Sequence, residues 1–213
     1  PELHLSVSMR SFRSEKVAGF VKSVLDVDSV NATKLLHQII DNYPIAITRD
    51  FNAAKRWVKE KAKGTERYGV IESSGARRLR PLGIWVQSKI DSAANWFLND
   101  MDDVRSSYYL EEVATEFDIQ GLELDWTIVC WDADFRFENG TFGFYSFTGT
   151  SWKHINSEEK KAYLKNAYRV LLTRARQGMI IFIPNGSDED VTRARKYYDE
   201  TYKYLCSIGI KPI

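Results

Sequence analysis

Residues 158–183 read EEKKAYLKNAYRVLLTRARQGMIIFI, a helical pattern that runs directly into an apolar strand. The apolar residues on one side of this pattern recur every three to four positions, at Leu164, Ala167, Leu171 and Ala175. We expect the helix to cover residues 158–176 and to end at Gly178, with a buried strand over residues 179–184. A helix joined closely to a buried strand is the building unit of an α/β fold.

The rest of the chain alternates between the two kinds of pattern. Strands are predicted over residues 3–9, 44–48, 68–72, 112–115 and 126–131. Helices are predicted over residues 14–25, 32–41, 51–61, 87–99 and 188–206, the third of them capped by Asp50. Residues 81–109 form a small insertion, and residues 135–152 form a β-rich excursion or a long loop. The alternation predicts one doubly wound α/β domain over residues 1–213, with a mostly parallel sheet flanked by helices.

Composition narrows the class of protein. The 213 residues are 44% hydrophobic and 28% charged, as in ordinary soluble globular proteins. A net charge of +1 means that any contact with nucleic acid requires a local basic patch. Cys130 and Cys206 have neither disulfide nor zinc spacing, which favours a reducing, cytoplasmic location, and no apolar run is long enough for a membrane span. The start at Pro1, without Met, leads us to expect a fragment of a longer protein.

Three arginines lie near the end of the helix over residues 158–176: Arg169, Arg174 and Arg176. Cations at this end complement the helix dipole and contribute roughly 0.3–1 kcal/mol each, and composition alone favours that explanation. The alternative is that one guanidinium group stabilises charge on a transferring phosphoryl group.

The order of the letters supports the alternative, because Thr173-Arg174-Ala175 resembles the sixth motif of superfamily 1 helicases. The resemblance implies that Arg174 faces the γ-phosphate of ATP, with Thr173 beside it. Gln120-Gly121-Leu122-Glu123, ahead of an apolar strand and after Thr115, resembles the fifth motif of the same family.

The fifth motif implies that Thr115 and Gln120 lie towards nucleic acid and that Glu123 faces the nucleotide sugar. Gly121 would let the backbone approach a ligand. The residues expected at the nucleotide are therefore Gln120, Gly121, Glu123 and Thr173. Relatives often have His where this chain has Phe117, so the polar contact expected at that position is in doubt.

Two earlier stretches continue the resemblance in the expected order. Residues 5–11 resemble the fourth motif and make Arg10 the second arginine at the γ-phosphate, with Arg13 a weaker candidate and Met9 where relatives place a stacking Tyr. Residues 44–53 resemble the helicase strand that ends in Arg and a short loop. The residues expected to touch the nucleic-acid backbone there are Thr48, Arg49 and Asn52; for Asn52, a plain capped helix is the simpler explanation.

Together the motifs make the chain similar to the second, C-terminal RecA-like domain of superfamily 1 helicases. It is nearest an uncharacterised bacterial family related to the Schlafen helicase-like region. The sequence contains no Gly-x-x-x-x-Gly-Lys-Ser/Thr loop, so the resemblance implies that ATP and Mg²⁺ are bound mainly by an N-terminal P-loop domain. The other expected partner is single-stranded DNA or RNA. No metal site is predicted; Asp132 and Asp134 after a strand are explained as turn formers.

Three functions remain open on the sequence alone. The first is a motor that unwinds or translocates, and the second is a nucleic-acid-stimulated NTPase that acts as a switch without unwinding. A third interpretation is a non-catalytic interaction module that has kept the fold. The isolated fragment is expected to have no ATPase activity.

Overall fold

A computed structural model of the chain describes residues 2–85 and 93–213, with side chains described from residue 14 onward. The helices are α1 (Glu2–Leu25), α2 (Ser29–Ile39), α3 (Phe51–Lys61), α4 (Ala93–Leu98), α5 (Glu158–Leu172) and α6 (Lys196–Ser207). The strands are β1 (Ile45–Thr48), β2 (Tyr68–Glu72), β3 (Val113–Thr115), β4 (Leu124–Cys130), β5 (Phe135–Glu138), β6 (Thr141–Thr148), β7 (Ser151–His154), β8 (Ala175–Phe182) and β9 (Lys211–Pro212).

Six of these strands form a sheet in the order β3-β2-β4-β8-β1-β9, and every pair in it is parallel. All seven residues of β4 are buried, and so are the last five of β8. Burial on both faces explains why these two strands appear as continuous apolar runs in the sequence. The α/β fold with a mostly parallel sheet is confirmed, and it is the arrangement expected of a RecA-like domain.

Local capping fixes where several helices begin. The carboxylate of Asp50 accepts a hydrogen bond from the backbone N–H of Asn52 at 2.8 Å, so the predicted cap of α3 is confirmed. Ser157 caps α5 in the same way by accepting from the N–H of Lys160, and two glutamates occupy the first turn of that helix. These negative charges complement the positive end of the helix dipole.

Several predicted elements differ from the structure in type or in their boundaries. Residues 3–9 belong to α1 instead of a strand, because neither Gly nor Pro separates them from the amphipathic run that follows. Helix α5 stops at Leu172, since Ala175 pairs with Leu124 as the first residue of β8. Gly178 therefore lies inside β8. The last helix starts later than expected, at Lys196. Of the helix predicted over residues 87–99, the described part is helical at α4, and residues 86–92 lie outside the described residues.

The predicted β-rich excursion is confirmed as a separate antiparallel sheet of β5, β6 and β7. It packs on α6, where the rings of Phe137 and Tyr204 stack with their centroids 4.2 Å apart. The backbone N–H of Phe137 also donates to the hydroxyl of Thr201 at 2.9 Å. No helix in the described part of the chain is long and apolar enough to cross a membrane.

Gly178 occupies a position with no room for a side chain. A Cβ atom there would lie 2.5 Å from the carbonyl oxygen of Pro44 and 2.7 Å from the ring of Trp126. The Pro44 carbonyl cannot move away easily, because it accepts a hydrogen bond from the N–H of Met179 at 3.1 Å. Gly178→Ala should therefore lower the free energy of unfolding by about 1–3 kcal/mol in urea denaturation.

Gly19→Ala is the matched control for this prediction. A Cβ atom at Gly19 would only reach ordinary contact with Leu35, at 3.5 Å, inside helix α1. Replacing a helical glycine there should stabilise the protein by about 0.5–1 kcal/mol. Equal effects of the two substitutions would contradict the close approach of Pro44 to Gly178.

Candidate functional site

The amino-terminal edge of the two central strands brings together the ends of two predicted motifs. Glu123 immediately precedes β4 and Arg174 immediately precedes β8, and the next residues, Leu124 and Ala175, are paired. The N–H of Leu124 donates to the carbonyl oxygen of Arg174 at 3.1 Å. Since paired strands lie about 4.8 Å apart, the backbones of Glu123 and Arg174 are neighbours.

A cleft of about 780 Å³ opens at this edge, between α1 at residues 14–18 and the turn from α5 to β8. Its polar lining includes Ser14, Glu123, Asp125, Arg169, Thr173 and Arg176. Its volume lies within the range that small-molecule sites usually have, roughly 300–1,000 Å³. The cleft therefore has the size and polarity for a charged small ligand.

The three arginines at the α5–β8 turn have different surroundings. Arg176 forms an ion pair with Asp125 at 2.9 Å, and Arg169 donates to the side chain of Asn166. Arg174 is partly buried, and its Nε is enclosed without a hydrogen-bond partner among the described residues. Enclosing a charged donor without a partner is costly, which distinguishes Arg174 from the other two arginines; Arg174 itself is not among the described residues that line the cleft.

Only some of the other residues predicted to bind the nucleotide line the cleft. Thr173 ends α5, and its hydroxyl donates to the carbonyl oxygen of Arg169 at 2.8 Å. Glu123 is exposed and lines the cleft. Gln120 and Gly121 lie on the exposed turn before it, where Gly121 has a φ of +82° that glycine adopts without strain. Glu123 and Thr173 are thus gathered at the cleft, whereas Gln120 does not line it.

Arg10 lies in helix α1 instead of after a strand, and its side chain is outside the described residues. Its backbone is one helical turn before Ser14, which lines the cleft. The role of Arg10 at a phosphate stays a prediction.

The predicted nucleic-acid set lies at the opposite, carboxyl-terminal edge of the sheet and is not brought together. Thr48 ends β1 and Arg49 follows it, whereas Thr115 ends β3, and β2, β4 and β8 stand between those strands. The hydroxyl of Thr48 is buried and donates to the carbonyl oxygen of Ile213 at 3.3 Å. Thr115 is buried and bonded to Asp118 through its N–H and hydroxyl, at 2.8 and 2.7 Å.

Arg49 serves mainly to join elements of the fold. Its guanidinium donates to the carbonyl oxygen of Pro184 at 3.0 Å and to Asp199 at 2.7 Å, and it lies 4.2 Å from the ring centroid of Tyr202. Of the four predicted contacts with nucleic acid, Asn52 alone has an exposed side chain.

Four acidic side chains that the sequence reasoning did not connect are buried at this carboxyl-terminal edge: Glu72, Glu116, Asp132 and Asp134. Each of them ends or follows one of three adjacent strands, β3, β2 and β4. This shared position at strand ends is the sequence pattern that could have predicted that they lie together. Tyr168 donates to Asp134 at 2.6 Å and Tyr198 donates to Asp132 at 2.9 Å. Within residues 2–85 and 93–213, no group of three or more His, Cys, Asp or Glu side chains is arranged to hold a metal ion.

Three of these acids anchor the segment that follows β2. Asp134 accepts a hydrogen bond from the hydroxyl of Ser73 at 2.8 Å. Glu116 accepts from the N–H and hydroxyl of Ser74, at 2.8 and 2.7 Å. Asp132 accepts from the backbone N–H of Arg78 at 2.8 Å. The acids therefore position a loop, in place of the simple turn-forming role expected for Asp132 and Asp134.

The fourth acid, Glu72, has both carboxyl oxygens buried without a hydrogen-bond partner among the described residues. Burial raises its pKa well above the usual value of 4.5, and the nearby carboxyl groups of Asp132 and Asp134 raise it further. Burial and the charge of Asp132 also raise the pKa of Asp134, to about 7. Each shift disfavours the ionised form, so Glu72 and Asp134 retain protons at pH values where free carboxyl groups lose them.

The raised pKa of Glu72 makes stability depend on pH. Above pH 4.5 the unfolded chain releases the proton of Glu72 while the folded protein retains it, so stability falls as pH rises through the folded pKa. Glu72→Gln should weaken that fall, which chemical denaturation at about pH 5 and about pH 8 measures. The relative stability of the variant should improve towards pH 8 by about 1.4 kcal/mol per unit of raised pKa.

Glu159→Gln, at an exposed position of α5, is the control and should leave the pH dependence as it is in the wild type. The contrary outcome is a free energy of unfolding that rises between pH 5 and pH 8 by the same amount in the wild type and in Glu72→Gln. That result would rule out a retained proton on Glu72.

Comparison with known proteins identifies a family for the chain. No curated protein and no solved structure matches the chain. The family model of the Schlafen group 3 DNA/RNA helicase domain matches residues 1–185, which include both Glu123 and Arg174. The match covers most of the 213 residues, and the chain therefore belongs to the Schlafen group 3 DNA/RNA helicase domain family.

Proposed function

We propose that this chain is the second RecA-like domain of an ATP-dependent superfamily 1 motor that acts on single-stranded DNA or RNA. The observation that carries the proposal is the backbone neighbourhood of Glu123, which lines the cleft, and Arg174, a partly buried arginine whose Nε has no hydrogen-bond partner among the described residues. Membership of a helicase-domain family supports a helicase-like role. The phosphate-binding loop is proposed to lie in an N-terminal domain, since the sequence has no such loop.

The residues at the cleft fit a bound nucleotide. When bound by the P-loop domain, ATP with Mg²⁺ supplies the phosphoryl group that is transferred to water. Arg174 would donate hydrogen bonds to oxygens of that group as negative charge develops on them, the role of an arginine finger. Glu123 would accept a hydrogen bond from a sugar hydroxyl. Thr173 would hold Arg174 in place by ending α5 directly before it.

The test of this proposal is ATP hydrolysis by the full-length protein, with and without single-stranded DNA or RNA. Arg174→Ala should lower the strand-stimulated kcat by at least ~10²-fold, because it removes a charge used mainly in the transition state. ATP affinity, measured by equilibrium binding, should change much less. Arg174→Lys should restore little activity, since an ammonium group cannot reproduce the planar fork of a guanidinium group.

The control is Arg105→Ala, an exposed arginine paired with Asp103 away from the cleft. It should retain wild-type turnover. Hydrolysis that is indifferent to Arg174, or absent from a folded full-length protein, would favour a non-catalytic interaction module.

A separate substitution tests the nucleotide-sugar contact. Glu123→Ala should raise the KM for ATP roughly tenfold with a small change in kcat, because a contact to the sugar is made equally in the ground and transition states. Steady-state kinetics with ATP and with 2′-deoxy-ATP measures it. Glu159→Ala is the matched control, and a fall in kcat with an unchanged KM would contradict the assignment.

One observation favours a second candidate, an NTPase switch that binds a strand without unwinding a duplex. The connection between β2 and β3 spans residues 73–112 and leaves little room for a separate strand-separating domain. Strand displacement by the full-length protein, measured beside ATP hydrolysis, distinguishes the two candidates. Hydrolysis stimulated by single strands without displacement would support the switch.

A further inference from the structure

The segment after β2, residues 73–85, reads SSGARRLRPLGIW and is named here the arginine loop. It contains Arg77, Arg78 and Arg80, followed by a tryptophan at position 85. None of the motifs in the sequence accounts for this concentration of positive charge. The whole chain has a net charge of only +1, so this concentration of arginines marks a locally basic segment in a nearly neutral protein.

The inward side of the arginine loop fixes its shape. Ala76, Leu79 and Ile84 are buried. The guanidinium of Arg78 forms an ion pair with Asp190 at 2.7 Å and lies 5.0 Å from the ring centroid of Phe147. With the anchors of Ser73, Ser74 and Arg78 to buried acids, these contacts hold the loop against the sheet edge.

The outward side presents two arginines and a tryptophan. Arg77 and Arg80 are exposed, and no ion pair joins either guanidinium group to a described residue. Arg80 lies over the ring of Trp85, 4.4 Å from its centroid, and Trp85 is 53% exposed. An exposed aromatic face beside free cations is the combination that binds single-stranded nucleic acid, because every base can stack and every nucleotide carries a phosphate.

The position of the arginine loop suits an extended ligand. It leaves the carboxyl end of β2, the edge at which parallel α/β sheets usually bind ligands. Strand β2 stands between β3 and β4, so the loop lies beside Thr115, which ends β3 and is the first residue of the fifth motif. Strand β4, with seven residues at ~3.3 Å each, separates this edge from the cleft lined by Glu123 and Thr173 by roughly 20 Å. A nucleic-acid strand here would not compete with a nucleotide at the cleft.

The buried acids do not cancel this charge at the surface. Glu72 lies close enough to Arg80 for the two to interact electrostatically, yet burial raises the pKa of Glu72 and reduces its negative charge. Asp132 already accepts from the backbone of Arg78 and from Tyr198. Arg77 and Arg80 thus keep their charge available to a ligand in solvent.

We propose that the arginine loop is a binding site for single-stranded nucleic acid, in which Arg77 and Arg80 contact phosphates and Trp85 stacks on a base. The inference rests on the proposed function, since it names the surface with which the motor would hold its strand. It replaces Thr48, Arg49 and Thr115, whose side chains are occupied within the fold, as the main predicted contacts.

Fluorescence anisotropy of the full-length protein with labelled oligo(dT) and oligo(U) of about 20 nucleotides, without ATP, tests the proposal. The double variant Arg77→Ala/Arg80→Ala should bind roughly tenfold more weakly at low salt. The slope of log affinity against log salt concentration should fall by about 1.4, because each phosphate of a single strand that a cation neutralises adds ~0.7 to that slope. Trp85→Leu should also weaken binding by roughly tenfold, whereas Trp85→Tyr should restore most of the affinity because it keeps a stacking ring.

The control is the double variant Lys59→Ala/Arg105→Ala, which removes the same charge from exposed positions outside the arginine loop. It should leave the salt slope near the wild-type value, and thermal unfolding verifies that every variant is folded. Crosslinking of a 5-iodouracil oligonucleotide should map to the peptide that contains Trp85. A comparison of the two oligonucleotides shows whether DNA or RNA is preferred.

The outcomes separate this inference from the proposed function. Wild-type binding with loop variants that behave like the control would overturn the arginine loop as the site and leave the motor proposal intact. A folded wild type that binds neither oligonucleotide would overturn both. Weaker binding with an unchanged salt slope, and no crosslink to the Trp85 peptide, would also count against direct contact.

Discussion

The structure depends on the parallel pairing of β4 with β8 at the centre of the sheet. This pairing begins at Leu124 and Ala175 and continues to Cys130 and Phe182, with both strands buried over most of their length. Because the two strands start together, the residues just before them meet at one edge, and the loops just after them meet at the other. The cleft lies at the first edge, and the arginine loop, which follows β2 beside β4, lies at the second edge of the same sheet.

The carboxyl-terminal edge is organised by buried acids that bind to a basic loop. Their carboxyl groups accept from Ser73, Ser74 and the backbone of Arg78, and none of these contacts uses the outward guanidinium groups. The acids therefore contribute order to the arginine loop without occupying its charges. Such an arrangement costs desolvation, which the raised pKa values of Glu72 and Asp134 express, and supplies a preorganised surface in return.

The sequence was sufficient for the parts of the fold that depend on local pattern. Apolar periodicity located α5 and the two central strands, and the resemblance to the fifth and sixth motifs assigned Glu123 and Arg174 to the nucleotide as separate predictions. Contacts that join distant residues were not readable in this way. The resemblance of residues 44–53 to a helicase strand predicts Arg49 at nucleic acid, and the local sequence does not show its ion pair with Asp199, which is 150 positions away along the chain. Residues 3–9 alternate like a strand, and continuity with the following helix overrides that local pattern.

The family match ends at residue 185, but the sheet does not. Beyond that point α6 covers the β5–β7 sheet and supplies Tyr198 to Asp132, and β9 pairs with β1 through Ala46 and Ile47. A protein expressed only to residue 185 would leave β1 as an edge strand with unpaired backbone groups and would expose the aromatic rings that α6 covers. Such edges template intermolecular pairing, so a fragment that keeps β1 covered must include α6 and β9 beyond the family boundary.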